Sequence, residues 1–534
     1  MPGRTGGEAR TRPSADGVAP ALTAEEHRIL AYASAVGPEF DFALLVDAMG
    51  LDEEVLAEQL ERLVQRGILH ERPGGERFSF AEEGVRAGIY RSLTESRLRV
   101  LHRKIAEVME RREPRPTPAA LSELGRHYFL GKVPEKSFEY NRRAAEIARA
   151  AGETDVAIHQ LERASVDLAV LPGDHRAERL DIARTLGDLC YSISRFHAAD
   201  RYYQEALGLI GGDEPRIHAR LLLARAEVAR ESLDTAAAIQ GAEEALRRFE
   251  AASDPVGTGQ VYRLLGRIAF QQGSYREALD QNMRALEAFP DSVDASVIGQ
   301  LSIDIGNAFA MLGEEVRPVA VEWYERAVKR LRAGPDQVDL TRALHNLGVI
   351  VGERRPEEGL EYLAEARAAA ERAHDTRALG RALLSGVEMR LGLGQVEEAE
   401  RDNEQAGRLL EQLGDALGLE LMQTNRGRIA EKAGQWEEAA SAYERAAEMA
   451  RSSHIAADEA EARFCLARLR FKTRDLDGAR EAFRQATELK VTELLPGLAH
   501  AYEQLRRDLE TGEPAPMGEP ESPGIAPSRA ARGL

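Results

Sequence analysis

Cysteine is almost absent from this sequence. The chain of 534 residues has only Cys190 and Cys465, which stand 275 positions apart with no second cysteine at metal-ligand spacing. This usage argues against a disulfide framework or a cysteine-ligated metal site and is typical of a reducing interior. We therefore expect a cytoplasmic protein in which both thiols are small core residues.

Long apolar runs are also missing. No stretch comes near the ~18 consecutive apolar residues that a membrane span needs. The opening residues, MPGRTGGEARTRPSADG, lack the apolar segment of a signal peptide. We expect a soluble protein with no membrane partner.

Catalytic and cofactor-binding motifs are a third absence. The sequence has no HExxH, no paired cysteines, no G-x-S-x-G and no G-x-x-x-x-G-K-[ST]. Its one Gly-Lys pair, Gly131-Lys132, precedes Val133 instead of Ser or Thr, so nucleotide hydrolysis is not expected. These observations predict a protein that is not an enzyme and needs no cofactor or metal.

Basic residues are outnumbered. Lys and Arg total 71 against 90 Asp and Glu, which gives a net charge of −19. Such a surface repels nucleic acid and anionic lipid over most of its area, so any DNA contact has to be local.

What the sequence does contain is a phrase that returns about every 40 residues, as in QQGSYREALDQNMRAL at 271–286. Each copy has two small residues seven positions apart. The first set is Ala157, Ala199, Ala238, Ala278, Ala320, Gly359, Ala399, Ala439 and Ala479, and the second is Ala164, Ala206, Ala245, Ala285, Ala327, Ala366, Ala406, Ala446 and Ala486. A fixed period of this length is typical of a helical solenoid.

The spacing has a physical meaning. Residues seven apart lie on one face of a helix, where methyl-sized side chains let a second helix approach closely. Glycines that precede many copies (Gly152, Gly273, Gly394 and Gly434) suit the positive-φ end of a first helix. Each unit is predicted to be helix, turn, helix, with aromatic residues such as Trp436 filling the angle between the helices.

Residues 23–112 do not follow the period. Thr23 and Glu26 form a predicted capping box at the start of a helix, and 37–50 and 51–67 suggest two more helices. Two short strands around Pro73-Gly74-Gly75 follow, and three helices followed by a hairpin indicate a winged helix. Two amphipathic helices, near 82–92 and 94–112, complete this segment.

The predicted fold is therefore an all-α solenoid preceded by a small winged-helix module with a short β-hairpin. We expect four segments. They are a disordered tail (1–20), the winged-helix module with two following helices (21–115), nine to ten repeats (116–510) and a second disordered tail (511–534).

The repeats resemble tetratricopeptide repeats. The resemblance rests on pairs such as Leu186-Gly187, Leu265-Gly266 and Leu347-Gly348, on the two alanines and on the aromatic positions, and it spans roughly residues 119–509. The period of about 40 exceeds the usual length of about 34. It is similar to the longer variety in the sensor arms of signalling ATPases.

The N-terminal segment resembles the part of LuxR-type and maltose-activator-like ATPases that joins the nucleotide-binding domain to the repeat arm. The resemblance rests on the phrases FSFAEEGVRAGIYRSL and LRVLHRKIAEVMER. Glu82 stands where that family commonly has a histidine associated with nucleotide sensing. The resemblance implies a protein-interaction scaffold or sensor arm in signalling or transcriptional regulation, with a protein or peptide ligand.

The resemblance also implies where a ligand would bind, because the first helix of each tetratricopeptide unit lines a concave surface. The residues placed there are Arg263, Arg267, Asn307, Asn346, Arg381, Asn425 and Arg428. Asn307, Asn346 and Arg381 resemble three positions of the carboxylate clamp of chaperone-binding members. Ile303 and Ser385 depart from the other two.

Two alternative functions stay open at this stage. One is a DNA-binding regulator that uses the winged helix, although the stretch 51–67 has five acidic and two basic residues. The other is the regulatory portion of a split ATPase or kinase that acts in trans on a separate NTPase or kinase. A basic stretch that contains Arg97, Arg103, Lys104 and Arg111 is either a solvated helix face or a docking surface for an acidic partner.

Overall fold

The computed structural model describes residues 22–211, 214–495 and 498–511. The predicted disordered tails, 1–20 and 511–534, lie outside these ranges except for Thr511. The chain divides into two compact units, Met1–Glu214 and Pro215–Leu534, which are described separately below. Within the described residues, every helix is too short or too polar to cross a bilayer.

The first unit begins with five helices and three short strands. In chain order these are α1 (Ala24–Val36), β1 (Glu39–Asp41), α2 (Phe42–Met49), α3 (Glu53–Gln65), β2 (Leu69–Glu71), β3 (Arg77–Phe80), α4 (Glu83–Ser92) and α5 (Glu95–Arg112). The predicted capping box is present at the start of α1. The Thr23 hydroxyl accepts a hydrogen bond from the Glu26 N–H at 3.1 Å, and the Glu26 carboxylate accepts one from the Thr23 N–H at 2.6 Å.

The sheet is antiparallel with the strand order β1-β3-β2, and Phe40 pairs with Phe78. The hairpin of β2 and β3 was predicted from the sequence, whereas β1 lies in a stretch that we expected to be helical. The side chain of Phe40 explains the difference, because it is buried and stacks on Phe78 with ring centroids 6.0 Å apart. The Asp41 carboxylate then accepts a hydrogen bond from the Leu44 N–H at 2.9 Å, so that the helix starts only at Phe42.

Five further helices complete the first unit: α6 (Pro118–Leu130), α7 (Pro134–Ala150), α8 (Thr154–Leu168), α9 (Arg176–Ser192) and α10 (Phe196–Leu209). Two buried histidines, His102 on α5 and His127 on α6, connect α5 to these helices. Their Nδ1 atoms lie 2.9 Å apart, and the Nε2 atom of His102 lies 2.9 Å from the Tyr90 hydroxyl.

The protonation of this histidine pair is set by Arg126. The Arg126 guanidinium lies 2.9 Å from His127 Nε2, and because arginine can only donate, that nitrogen must accept. His127 then donates from Nδ1 to His102 Nδ1, and His102 donates from Nε2 to Tyr90. Burial, reinforced by the positive charge of Arg126, lowers the pKa of His102 to about 4 and also holds the pKa of His127 well below its usual value.

The second unit consists of α11 (Pro215–Glu231), α12 (Thr235–Ala251), α13 (Pro255–Gln271), α14 (Tyr275–Ala288), α15 (Ala295–Met311), a 3₁₀ turn (Glu314–Val316), α16 (Arg317–Leu331), α17 (Gln337–Gly352), α18 (Pro356–Ala373), α19 (Thr376–Gly392), α20 (Val396–Leu413), α21 (Ala416–Lys432), α22 (Trp436–Ser452), α23 (Ala456–Lys472), α24 (Leu476–Glu488), α25 (Val491–Leu494) and α26 (Ala499–Thr511). From α11 to α24, a first helix alternates with a second helix in each repeat. The predicted all-α repeat fold with a small N-terminal sheet is confirmed.

The paired small residues lie in the seam between helices, as predicted. Every alanine of both sets has no exposed surface, and Gly359 is also buried. The four predicted turn glycines have φ values between 75° and 77°, which a residue with a Cβ rarely adopts. Both cysteines are buried and unbonded, in agreement with the prediction that they are core residues.

Two glycines in the middle of first helices, Gly187 of the Leu186-Gly187 pair and Gly427, have a packing reason as well. A Cβ on Gly187 would lie 2.4 Å from the ring of Tyr203, which comes from the second helix of the same repeat. Gly427 and Tyr443 repeat the arrangement at 2.5 Å. The aromatic ring thus occupies the space that a side chain on the first helix would need.

Trp436 was expected to fill the angle between the helices, and this expectation was wrong. The residue is the first of α22 and remains 40% exposed. Its ring is covered on one side by the Lys472 ammonium, 4.8 Å from the ring centroid. At a helix start the side chain has no preceding turn to pack on, so it lies over the surface.

Candidate binding face of the first helices

Polar side chains connect each first helix of the second unit with the next. A period of about 40 residues brings equivalent positions of successive repeats side by side, so residues about 40 apart in sequence meet across this surface. We call it the first-helix face. It is formed by the hydrogen-bonding side chains of α11, α13, α15, α17, α19, α21 and α23.

Arg263 and Arg267 begin the face on α13. The Arg263 guanidinium donates to Asp304 Oδ2 and to Gln300 Oε1, both at 2.7 Å. Arg267 donates to Glu227 on the preceding first helix at 3.2 Å. Burial opposes ionisation of Asp304, but Arg263 and other nearby arginines hold its pKa below the usual value.

The middle of the face continues the pattern on α17. The Gln300 amide donates to Asp339 Oδ2 at 2.5 Å, and Arg342 pairs with Asp339 at 2.9 Å. One turn further on, His345 Nε2 lies 2.9 Å from the Ser385 hydroxyl on α19. Burial lowers the pKa of His345, which favours the neutral ring.

Arg381 and Arg428 close the face at its C-terminal end. Arg381 lies 3.6 Å from Asp415, the residue that caps α21. Arg428 pairs with Glu388 at 3.4 Å and donates to Glu461 at 2.6 Å, so it links α19, α21 and α23. Burial opposes its charge, but the two glutamates raise the pKa of Arg428 above the usual value.

The three predicted asparagines lie between helices. Asn307 Oδ1 accepts hydrogen bonds from the Tyr324 hydroxyl at 2.7 Å and from the Asn346 amide at 3.0 Å. Asn425 donates to the Leu384 carbonyl at 3.0 Å. All three are buried, whereas the four predicted arginines keep side-chain exposures of 17% to 32%.

Sequence reasoning missed the acidic half of the face. Glu227, Asp304 and Glu388 each stand 40 or 41 residues from the arginine that they pair with. Opposite charges at this separation are a usable signal once the period is known. The structure also shows where the two residues that depart from the clamp pattern lie. Ile303 is fully buried, and the Ser385 hydroxyl contacts His345.

The charged helices of the first unit differ from each other. On α5, Arg112 pairs with Asp47 at 3.1 Å, while Arg97, Arg103, Lys104 and Arg111 form no ion pair with any residue in the described ranges. On α3, the acidic residues of the exposed side are Glu53, Glu54, Glu58 and Glu61. A DNA-reading helix at this position would therefore meet phosphate with a negative surface.

Fold and face together define a helical-repeat protein with a polar, partly exposed row of ion pairs. Two segments match family models described as tetratricopeptide repeat, over residues 218–291 and 424–490. The resemblance to tetratricopeptide repeats is confirmed by these matches. A comparison with curated proteins finds no significant match.

Solved structures with a similar arrangement include a signal transduction ATPase with numerous domains and a tetratricopeptide repeat sensor, from Pyrococcus horikoshii. Its sequence is 14% identical, with a TM-score of 0.46, and the match covers 81% of this chain and 64% of the ATPase chain. The chain thus spans less than two thirds of that protein.

Two others are a phosphatase and a gene regulator. Aspartyl phosphate phosphatase F from Bacillus subtilis is 14% identical, with a TM-score of 0.42, and the match covers 76% of this chain and 96% of that one. The Rap conjugation gene regulator of the plasmid pLS20, solved with the Phr* peptide, is 12% identical with a TM-score of 0.41, and the match covers 73% and 96%.

Proposed function

We propose that this protein is a non-enzymatic interaction scaffold that binds a peptide or protein along the first-helix face of its second unit. The observation that carries the proposal is the row of partly exposed arginines, each held in place by a carboxylate of a neighbouring repeat. A guanidinium has five N–H donors, and Arg263 uses two of them within the chain. Donors that are fixed in this way can bind a ligand's carbonyl and carboxylate oxygens with little loss of side-chain entropy.

The ion pairs also determine which kind of ligand can bind to the arginines. Because the arginines are already paired, an acidic ligand competes with carboxylates of the chain, and binding depends on hydrogen-bond geometry more than on net charge. A peptide backbone presents carbonyl oxygens and N–H groups that match both halves of the row. The three buried asparagines contribute by holding the first helices in register.

The scaffold acts in the cytoplasm, in signalling or transcriptional control, with a protein or peptide as ligand. A separately encoded NTPase or kinase is a suitable partner, since the chain lacks a phosphate-binding loop. No observation favours the DNA-binding alternative, because the exposed side of α3 is acidic.

Replacing Arg267 and Arg381 together by glutamine should abolish capture of the partner. Affinity-tagged full-length protein would be used to purify partners from cells, with recovery measured by quantitative mass spectrometry. We expect at least a tenfold loss of one specific partner, because two charged guanidinium groups of the protein no longer donate to the ligand's oxygens.

The matched control changes Arg330 and Arg408, which are exposed on second helices, to glutamine. This variant should retain the partner. If both variants recover the partner equally, the binding site lies elsewhere and the proposal is wrong.

A further inference from the structure

A cleft lies between the second helices α22 and α24, with the first helix α23 as its floor. It is open to solvent and has a volume of ≈ 460 Å³. Pockets that bind small ligands fall between about 300 and 1,000 Å³. The cleft is lined by second helices and by Arg463, Leu466 and Arg470 of α23, and none of these α23 residues takes part in the hydrogen bonds and ion pairs described above for the first-helix face.

The glutamates of this cleft are already paired with cations. Glu444 accepts a hydrogen bond from Arg470 at 2.5 Å, and Glu481 accepts one from Arg484 at 2.6 Å. Glu448, on the rim, lies 3.7 Å from a neighbouring arginine of its own helix. Glu444 and Glu481 are thus hydrogen-bonded to arginines of the chain, whereas Glu448 has only the longer ion pair.

Two arginines of the cleft have no hydrogen-bonded carboxylate among the described residues. Arg445 donates to the Ser441 hydroxyl at 2.9 Å and to the Gln423 amide oxygen at 3.3 Å, both of which are uncharged. Arg463 lies 3.7 Å from Glu459, beyond hydrogen-bond distance. In the described ranges neither guanidinium hydrogen-bonds a carboxylate.

Arg463 is a largely buried arginine of the cleft with few hydrogen bonds of its own. Its side chain is only 13% exposed, and its Nε–H is buried without a hydrogen-bond acceptor among the described residues. Glu459, the nearest carboxylate, accepts two hydrogen bonds from Arg451 at 2.7 and 2.9 Å and stays 3.7 Å from the Arg463 guanidinium. The Nε nitrogen of Arg463 is closed off from the cleft, so an anion there would be bound by the terminal N–H groups of the Arg463 guanidinium, which line the cleft without a hydrogen-bonded carboxylate.

We propose that this cleft binds a carboxylate of a peptide, held by the guanidinium groups of Arg463 and Arg445. The carboxylate comes either from an acidic side chain or from a peptide C-terminus, since both present the same two oxygens. The site does not depend on the first-helix face, so the two proposals can fail independently.

The test uses fluorescein-labelled tetrapeptides and fluorescence polarisation with the full-length protein. A blocked tetraglutamate offers side-chain carboxylates, tetraglutamine with a free C-terminus offers only the terminal one, and fully blocked tetraglutamine offers none. We expect at least one carboxylate probe to bind tenfold more tightly than the blocked neutral peptide. Which of the two binds identifies the source of the carboxylate.

Two sets of variants locate the binding. Arg445→Gln with Arg463→Gln should weaken the binding of the carboxylate probe at least tenfold. Ser441→Glu should do the same with both arginines in place, because it supplies a carboxylate of the chain to Arg445 at an exposed position, where folding is not at risk. Ser441→Gln is its neutral control and should bind the probe as the unaltered protein does.

Three results would overturn the proposal. They are equal binding of the blocked neutral peptide, no binding of either carboxylate probe to the unaltered protein, and unchanged probe affinity in Ser441→Glu. Loss of probe binding in the Arg267 and Arg381 variant with retention in Ser441→Glu would assign the peptide to the first-helix face alone.

Discussion

Replacing Phe464 by alanine is expected to destabilise the second unit by about 3–5 kcal/mol. The Phe464 side chain has no exposed surface and packs among residues of α22, α23 and the C-terminal helices, with the ring of Tyr502 6.4 Å away. Its removal leaves a cavity that helices on both sides cannot easily close. Urea unfolding followed by circular dichroism measures the change in the free energy of unfolding.

The same measurement on Trp436→Ala is the matched control. Although tryptophan is larger than phenylalanine, this one is 40% exposed, and the Lys472 ammonium lies over its ring. An exposed cation–π contact contributes only about 0.5–1 kcal/mol. A Trp436→Ala variant as destabilised as Phe464→Ala would show that the packing described for α22 and α23 is wrong.

Acid is expected to destabilise the first unit through its histidine pair. The pKa of His102 is about 4 in the folded protein and 6.5 when the side chain is unperturbed, so between these values the unfolded chain binds a proton that the folded one does not. The contribution of His102 is fully present above pH 6.5 and is lost as the pH falls toward 4. It amounts to about 3 kcal/mol, and His127 acts in the same direction.

The pair can be separated from other titrating groups with variants. His102→Gln with His127→Gln should flatten the pH dependence of the unfolding free energy between pH 6.5 and 4.5. His159→Gln changes an exposed histidine on α8 and should leave the dependence as it is. If the double variant keeps the full acid sensitivity, the pH dependence arises from other groups.

The repeat could be predicted from sequence because it depends on size. The seam between two helices accepts only small side chains at two positions in each repeat. The alanines at these positions therefore recur from repeat to repeat, although most surrounding residues differ. The capping box at the start of α1 could also be predicted, because this local geometry requires the side chains of both Thr23 and Glu26. These signals are short-range, and the structure confirms them.

Exposure was harder to predict than periodicity. The period places Trp436, Asn307 and Asn425 on the correct helices. It does not say how closely a neighbouring helix approaches each of these residues, and that distance decides how far the side chain is exposed. The structure shows Trp436 partly exposed and both asparagines buried. A large apolar side chain at a helix start and a polar one mid-helix are both cases where residue type alone misleads.

Pairs of residues from different elements were missed for a further reason. His102 and His127 are 25 positions apart in sequence and lie on different helices, and neither histidine stands in a recognisable motif. The carboxylates of the first-helix face could have been found, because Glu227 and Arg267 differ by one full period. The β1 strand could not, since only three residues form it and its pairing partner is distant in sequence.

Site-specific photo-crosslinking tests the central claim most directly. Gln260 is exposed on α13 and shares a helix face with Arg263 and Arg267 through the three- and four-residue spacing. A photoreactive phenylalanine analogue at Gln260 should form a covalent adduct with a partner in irradiated cells, and the same analogue at Arg330 on α16 should not. An adduct from Arg330 alone would contradict the account and move the binding surface to the second helices.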